Sequence, residues 1–188
     1  GDWLTGPIHL RSNIDLHLEA GAHVRFSTRF DDYLPVVLVM ASGIRCYNYS
    51  PLVYAHDCTN VAITGEGILD GQGQVWWPWK WRDTLAPHKV YKFNVENVPL
   101  EERVLGTVED GMRSKLIHLL DCRNVLLEGV TVKDSPSWTV HPAFCDNVIV
   151  RGLTVIGKGP NNDGINPESC RNVLVEHCLL DTGDDCVT

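Results

Sequence analysis

The sequence predicts an all-β protein, a right-handed parallel β-helix, and three observations carry that prediction. The first is a recurring motif. CTNV at positions 58–61, CRNV at 122–125, CDNV at 145–148 and CRNV at 170–173 share one form, and Ser12-Asn13-Ile14 is an earlier variant of it. The second is the period: Cys122, Cys145 and Cys170 are 23 and 25 residues apart. The third is the pattern inside each copy, where apolar and other residues alternate over a short stretch, as in a strand. No copy holds a helix-length amphipathic run, nor the fixed leucine ladder of a leucine-rich repeat. Each repeat is therefore one coil of short strands and turns, and successive coils stack about 4.8 Å apart.

Taken in order, the chain opens with a coil-like stretch, LTGPIHLRSNIDLHLEAGAHVRF. A first insert follows over about 27–55, with TRFDDYLP and YNYSPLVYAH. The coil at Cys58 comes next, then a second insert over about 72–115, punctuated by Pro78, Pro87 and Pro99. Inserts of this length emerge as loops on the side of a solenoid and often carry function. Four of the six tryptophans (Trp76, Trp77, Trp79, Trp81) fall in the second insert. The preferred reading is a hydrophobic knot beneath its own loop; a sugar-stacking surface is the alternative. The coils at Cys122, Cys145 and Cys170 complete a single domain over 1–188. Asn60, Asn124, Asn147 and Asn172 are expected at one turn, hydrogen-bonding up the stack. The cysteines before them are expected to be small buried thiols, with a disulfide ladder as the minority reading.

Composition excludes several classes. The chain has 16 Lys+Arg against 24 Asp+Glu, a formal net charge of −8, so it lacks the basic footprint of a nucleic-acid binder. Its longest apolar run, at about 34–41, is far below the roughly 18 residues of a membrane span. Seven cysteines form no CxxC pair, so a zinc-knuckle reading is poor. The N-terminus has neither Met nor the apolar core of a signal peptide, so the chain is expected to start inside a longer protein.

The last 28 residues concentrate the chemistry. Asn161-Asn162-Asp163-Gly164 is followed, 21 residues on from Asp163, by Asp184 in Gly183-Asp184-Asp185. That spacing is close to one coil and sets Asp163 beside Asp184. Asp184 and Asp185 share a cleft only if the backbone turns locally, for which Gly183 is suited. Crowded carboxylates cannot all ionise easily, so one retains a proton near neutral pH. A protonated acid beside ionised carboxylates is what glycosidic-bond hydrolysis requires. On the residues alone, a calcium site and simple turn chemistry stand as alternatives.

These motifs, together with YNYSPLVYA, NVAITGEGILDGQG, WWPWK and SPSWTVHP, resemble the polygalacturonase family (glycoside hydrolase family 28), in its bacterial and plant exo-acting members. The resemblance covers nearly the whole chain, with Asn162 where the family has Thr. It implies a pectin-lyase-like solenoid, here truncated at both ends. It also implies Asp184 as general acid, Asp163 and Asp185 as the groups that hold and activate water, inversion at the anomeric carbon, and no metal or organic cofactor. The family's Gly-His-Gly is not found, and its later Arg-x-Lys, which grips the substrate carboxylate, is not found in a comparable late coil, so this segment alone is expected to be inactive.

Asn161 is assigned to substrate binding with the motif. Counting seven residues back from Cys145 and from Cys170 puts Trp138 one coil below Asp163, as a sugar platform or a packing residue. His141 is a further groove candidate, with a hydrogen-bonded structural histidine as the preferred reading, while Lys158 and Arg171 are candidate carboxylate contacts, with solvated surface cations as the preferred reading. The implied substrate is a pectic polysaccharide or oligogalacturonide, cut at α-1,4 linkages by a monomeric, secreted or periplasmic enzyme. A non-catalytic carbohydrate-binding β-helix and a calcium-dependent pectate lyase are the competing functions.

Overall fold

A computed structural model describes residues 1–188. The chain winds as a right-handed parallel β-helix whose coils contribute to three parallel sheets. The first sheet has six strands, stacked in the order Asp2–Thr5, His23–Phe26, Ile68–Asp70, Thr131–Lys133, Thr154–Ile156, Leu179–Asp181. The second stacks Ile8–His9, Val53–His56, Ile117–Leu120 and Val140–Ala143. The third stacks Ile14–Leu18, Thr59–Gly65, Arg123–Glu128, Asp146–Arg151 and Arg171–Glu176. No helix is long and apolar enough to cross a membrane.

Register follows the repeats. Val61, Val125, Val148 and Val173 align in one column, and Ile63, Leu127, Val150 and Val175 in the next inward-facing one. The buried members of these columns join Leu69, Val132, Val155, Leu119, Val140 and Ile165 in one continuous apolar core. At the turn into the third sheet, Asn13, Asn60, Asn124, Asn147 and Asn172 all hold a left-handed backbone, with φ between 54° and 63°. Asn tolerates that conformation better than other non-glycine residues. Its amide also forms a ladder: Asn60 donates to Asn13 at 2.8 Å, Asn124 to Asn60 at 2.9 Å, and Asn147 to Asn124 at 2.9 Å. Asn172 leaves the ladder and donates to Asp146 at 2.8 Å. Beside it, Cys58, Cys122 and Cys145 are buried free thiols, whereas Cys186 is exposed.

The two interruptions of the repeat build one side lobe. Val37–Ala41 and Ile44–Asn48 form an antiparallel hairpin, and Val104–Leu105 adds to its far strand. The helix Ala86–Val95 closes over this sheet, burying Ala86 and Phe93 against Val39, Ile44 and Leu105. Strand Val37–Ala41 is the edge, and edge backbone groups need partners. Side chains of the β-helix supply them: Tyr54 Oη donates to Leu38 O at 2.5 Å, Lys115 Nζ to Met40 O at 2.8 Å, and His118 Nε2 accepts from Met40 N at 3.1 Å. Beneath the lobe, Trp76 and Tyr33 are fully buried and Trp79 nearly so, with Phe30 and Tyr49 packed between them. The tryptophan cluster is thus mainly a packing knot, although Trp81 is exposed.

The asparagine ladder yields a differential prediction. Asn124→Gly removes the amide but suits the left-handed backbone, whereas Asn124→Ala removes the amide and strains the chain. Urea unfolding should find the Ala variant less stable than the Gly variant by about 1–2 kcal/mol. Equal stabilities would show that φ is not what selects Asn there.

Candidate active site

The site forms at the corner where each coil passes from the first sheet to the second. Asp163 lies above the coil of Trp138: Thr139 N donates to Asp163 O and Val140 N to Gly164 O, both at 2.9 Å. The next coil continues the stack, with Gly164 N donating to Asp185 O at 2.9 Å and Ile165 N to Cys186 O at 3.0 Å. Asp163 is therefore in register with Asp185, not with Asp184 as the spacing suggested. Close approach fixes the two glycines. A Cβ on Gly164 would come within 2.5 Å of Cys186 O, and one on Gly183 within 2.5 Å of Gly159 O.

One carboxylate oxygen from each of Asp163, Asp184 and Asp185 lies within 4.8 Å of the others. Asp163 is buried, at 6% exposure, while Asp184 and Asp185 are exposed. Asp163 Oδ2 accepts from Asn166 Nδ2 at 3.1 Å, but its Oδ1 is buried without a partner. Burial above all, helped by the charges of Asp184 and Asp185, raises its proton affinity above the ordinary carboxylate range. Asp184 caps its own turn, with Oδ1 accepting from Asp185 N at 3.1 Å. The same three oxygens could also surround a hard cation, since calcium takes several carboxylate ligands.

Asn161 joins the cluster to the body of the protein. Its Oδ1 accepts from Arg113 Nη2 at 2.6 Å, and its Nδ2 reaches Asp184 Oδ2 at 3.4 Å. Arg113 Nη1 also donates to Pro160 O at 2.6 Å and Pro136 O at 3.2 Å, holding the loop that carries Asn161. Asn162 is fully buried and structural, donating to Ser135 O and Ser137 O of the coil below at 2.9 and 3.0 Å. Trp138 stands beneath Asp163 and is half-buried. It separates a cavity of about 420 Å³ that reaches Lys115 and Asn161 from one of about 300 Å³ bounded by Asn166, Glu168 and Thr188.

Three further candidates take structural or surface places. His141 is fully buried rather than open to the groove: it stacks on His118 at 4.6 Å, meets the edge of Trp138 at 5.0 Å, and binds Glu168 Oε2 through Nε2 at 2.9 Å. Burial, with the nearby Lys115 charge, depresses its pKa to about 2, so it is neutral. Its proton is assigned to Nε2, because Nδ1 has no partner. It supports Trp138 from behind. The ammonium of Lys158 is paired with Asp181, both groups exposed. Arg171 opens a third-sheet strand and lines a separate cavity of about 440 Å³ with Asp57, Asp121 and Phe144. Sequence reasoning missed Arg113, Lys115, Asn166 and Glu168. The nearest signal was Arg113-Ser114-Lys115, two cations just before an apolar strand of an acidic chain.

A parallel β-helix with a carboxylate triad at a coil corner suits the acid–base chemistry of a glycoside hydrolase. Residues 102–188 match the profile described as Glycosyl hydrolases family 28. A “Probable polygalacturonase” of Vitis vinifera is 32% identical over 100% of this chain and 35% of its own length. The solved hyperthermoactive exopolygalacturonase of Thermotoga maritima is 48% identical with a TM-score of 0.92, covering 100% of this chain and 44% of that one. A Yersinia enterocolitica family 28 exopolygalacturonase is 26% identical with a TM-score of 0.76, covering 100% and 37%. The chain is polygalacturonase-like, and its residues 102–188 carry the family 28 profile. It spans about a third to under half of the length of these relatives.

The strained environment of Asp163 predicts a trade between stability and function. Its raised proton affinity means that the protonated form suits the fold. The stability this contributes is complete below the unfolded pKa of about 3.9 and is lost as pH rises through the folded value. Asp163→Asn should therefore raise the thermal midpoint at pH 7, by about 2–4 °C for each kcal/mol relieved. The gain should shrink towards pH 4. Calorimetry across pH tests this; a lower midpoint for the variant at pH 7 would refute it.

Proposed function

We propose that the protein hydrolyses α-1,4-galacturonosidic bonds of pectin or polygalacturonate by an inverting acid–base mechanism, acting from chain ends. The observation that carries this reading is the convergence of Asp163, Asp184 and Asp185 within 4.8 Å over Trp138. The names of the relatives support the substrate, and the two solved exopolygalacturonases support action at chain ends. The side lobe supports the latter too, because the hairpin and the second insert wall one end of the 420 Å³ cavity. In this reading Asp184, exposed and tied to Asn161, protonates the leaving oxygen. Asp163 and Asp185, one above the other, hold a water and accept its proton, while Trp138 carries a sugar ring. A monomeric, secreted or periplasmic enzyme goes with this reading, since the polymeric substrate lies outside the cytoplasm.

A second stereochemical reading has an observation of its own. Inverting pairs usually stand about 6.5–9.5 Å apart and retaining pairs about 5–5.5 Å. The oxygens here are closer than the inverting range. The third carboxylate is the argument for inversion: two bases that share a water need no covalent attack by either. Proton NMR of the first product decides. A β-anomer from the α-linked substrate is the expected result; an α-anomer would establish retention.

In the full chain, Asp184→Asn should lower kcat by about 10²–10⁴ and leave KM within a few-fold, because the proton moves only in the transition state. The acidic limb of the rate profile should lie above the ordinary carboxylate range, because Asp163 must lose a proton that its burial retains. A variant within a few-fold of wild type, or an acidic limb at the ordinary value, would remove these assignments.

A further inference from the structure

The cavity beside the triad has a charge bias of its own. Three charged side chains line it, Lys80, Arg113 and Lys115, and all are cationic. No carboxylate lines it, although the chain carries a net charge of −8. At about 420 Å³ it is within the usual range of small-molecule pockets, about 300–1,000 Å³. One wall is the hairpin turn at Ala41 and Ser42, and another is Trp138.

The cations differ in what they lack. Arg113 is occupied by Pro136 O, Pro160 O and Asn161. Lys115 is buried, at 7% exposure, and its ammonium makes one hydrogen bond, to Met40 O at 2.8 Å. The Trp138 ring lies 5.6 Å from Nζ to the centroid, and Glu168 acts on the ammonium by its charge without pairing with it. An ammonium has three donors, and a buried charge short of partners is unfavourable. Docking the hairpin edge explains one donor and leaves the other two unexplained. Burial lowers the Lys115 pKa to about 8, against the opposing charge of Glu168.

We propose that this cavity is an anion-selective subsite in which Lys115 reads the carboxylate of a uronate unit whose ring lies against Trp138. A hexuronate and its neutral hexose differ only at C6, carboxylate against hydroxymethyl. Ring contacts to Trp138 are common to both, so the ammonium makes the distinction. The choice of a uronate as ligand rests on the function proposed above. The inference adds that the preference for acid over neutral sugar resides in a residue the triad does not contain.

The test measures binding, not turnover. Calorimetric titration of the full chain with D-galacturonate and with D-galactose should show galacturonate favoured by at least about ten-fold, equivalent to 1.4 kcal/mol. Lys115→Met should bring the two sugars within about two-fold, whereas Lys115→Arg keeps the preference. A Met variant that still favours galacturonate, or a wild type with no preference, would overturn the proposal. If Lys115→Met does not fold, the Cε resonance of Lys115 decides, assigned in lysine-labelled wild type by its loss in Lys115→Arg. It should move with galacturonate and stay fixed with galactose; movement with both or neither would also overturn it. Polygalacturonate hydrolysis by the same preparations is a separate readout. A Lys115-dependent preference without hydrolysis would remove the proposed function and leave the subsite in place.

Discussion

The backbone ladder between successive coils governs the rest of the structure. Parallel strands pair in fixed register, so coils of unequal length must place their surplus in the turns. In the first sheet Ile156 pairs with Asp181, twenty-five residues on. At the corner below the second sheet Ile165 bridges Val187, twenty-two residues on. Between those points the upper coil is three residues shorter than the lower one. The lower loop, Lys158–Asn161, bulges, and the upper turn at Gly183 is tight. That mismatch brings Asp184 and Asp185 onto one side, although neighbouring residues of a regular strand face opposite ways. The carboxylate cluster is a product of coil-length difference as much as of residue choice.

The same corner sets opposite charges side by side. The carboxylates converge over Trp138, and the cations Arg113 and Lys115 lie behind and beside it. Neither group forms an ion pair with the other; Asn161 stands between Arg113 and Asp184 and bonds to both. A neutral amide as go-between preserves the crowding that raises the proton affinity of Asp163, which a direct Arg113 contact would relieve. Behind Trp138, neutral His141 and Glu168 complete a support that adds no net positive charge to the groove.

The β-helix and the stacking of the acidic motifs were legible because they are local and periodic. Asn-Val repeats state the register directly, and counting seven residues back from Cys145 placed Trp138 under Asp163. Where counting assumed equal coils it slipped, pairing Asp163 with Asp184 when the shorter turn pairs it with Asp185. His141, Lys158 and Arg171 lie close in sequence to the motif, but sequence proximity does not say which face a side chain takes. Alternation turns His141 onto the histidine stack, Asp181 holds Lys158, and Arg171 belongs to the next corner. Lys115 and Arg113 were invisible for a different reason. Their burial depends on the hairpin at 37–48 and the insert above it, both distant in sequence, and nothing in a single repeat announces those contacts.

The side lobe therefore acts on the site through the edge strand Val37–Ala41. An edge strand is stable only if its free peptide groups are satisfied, and here Tyr54, Lys115 and His118 satisfy them from the β-helix. Two of these residues stand next to the groove: Lys115 over Trp138, and His118 beneath His141, which itself meets Trp138. Docking the lobe thus orders the floor of the site, and the floor in turn holds the lobe that walls the cavity. The arrangement makes lobe and groove one cooperative unit. A change that loosens Met40 from Lys115 and His118 would free the wall of the cavity and the support of Trp138 together, without touching any carboxylate.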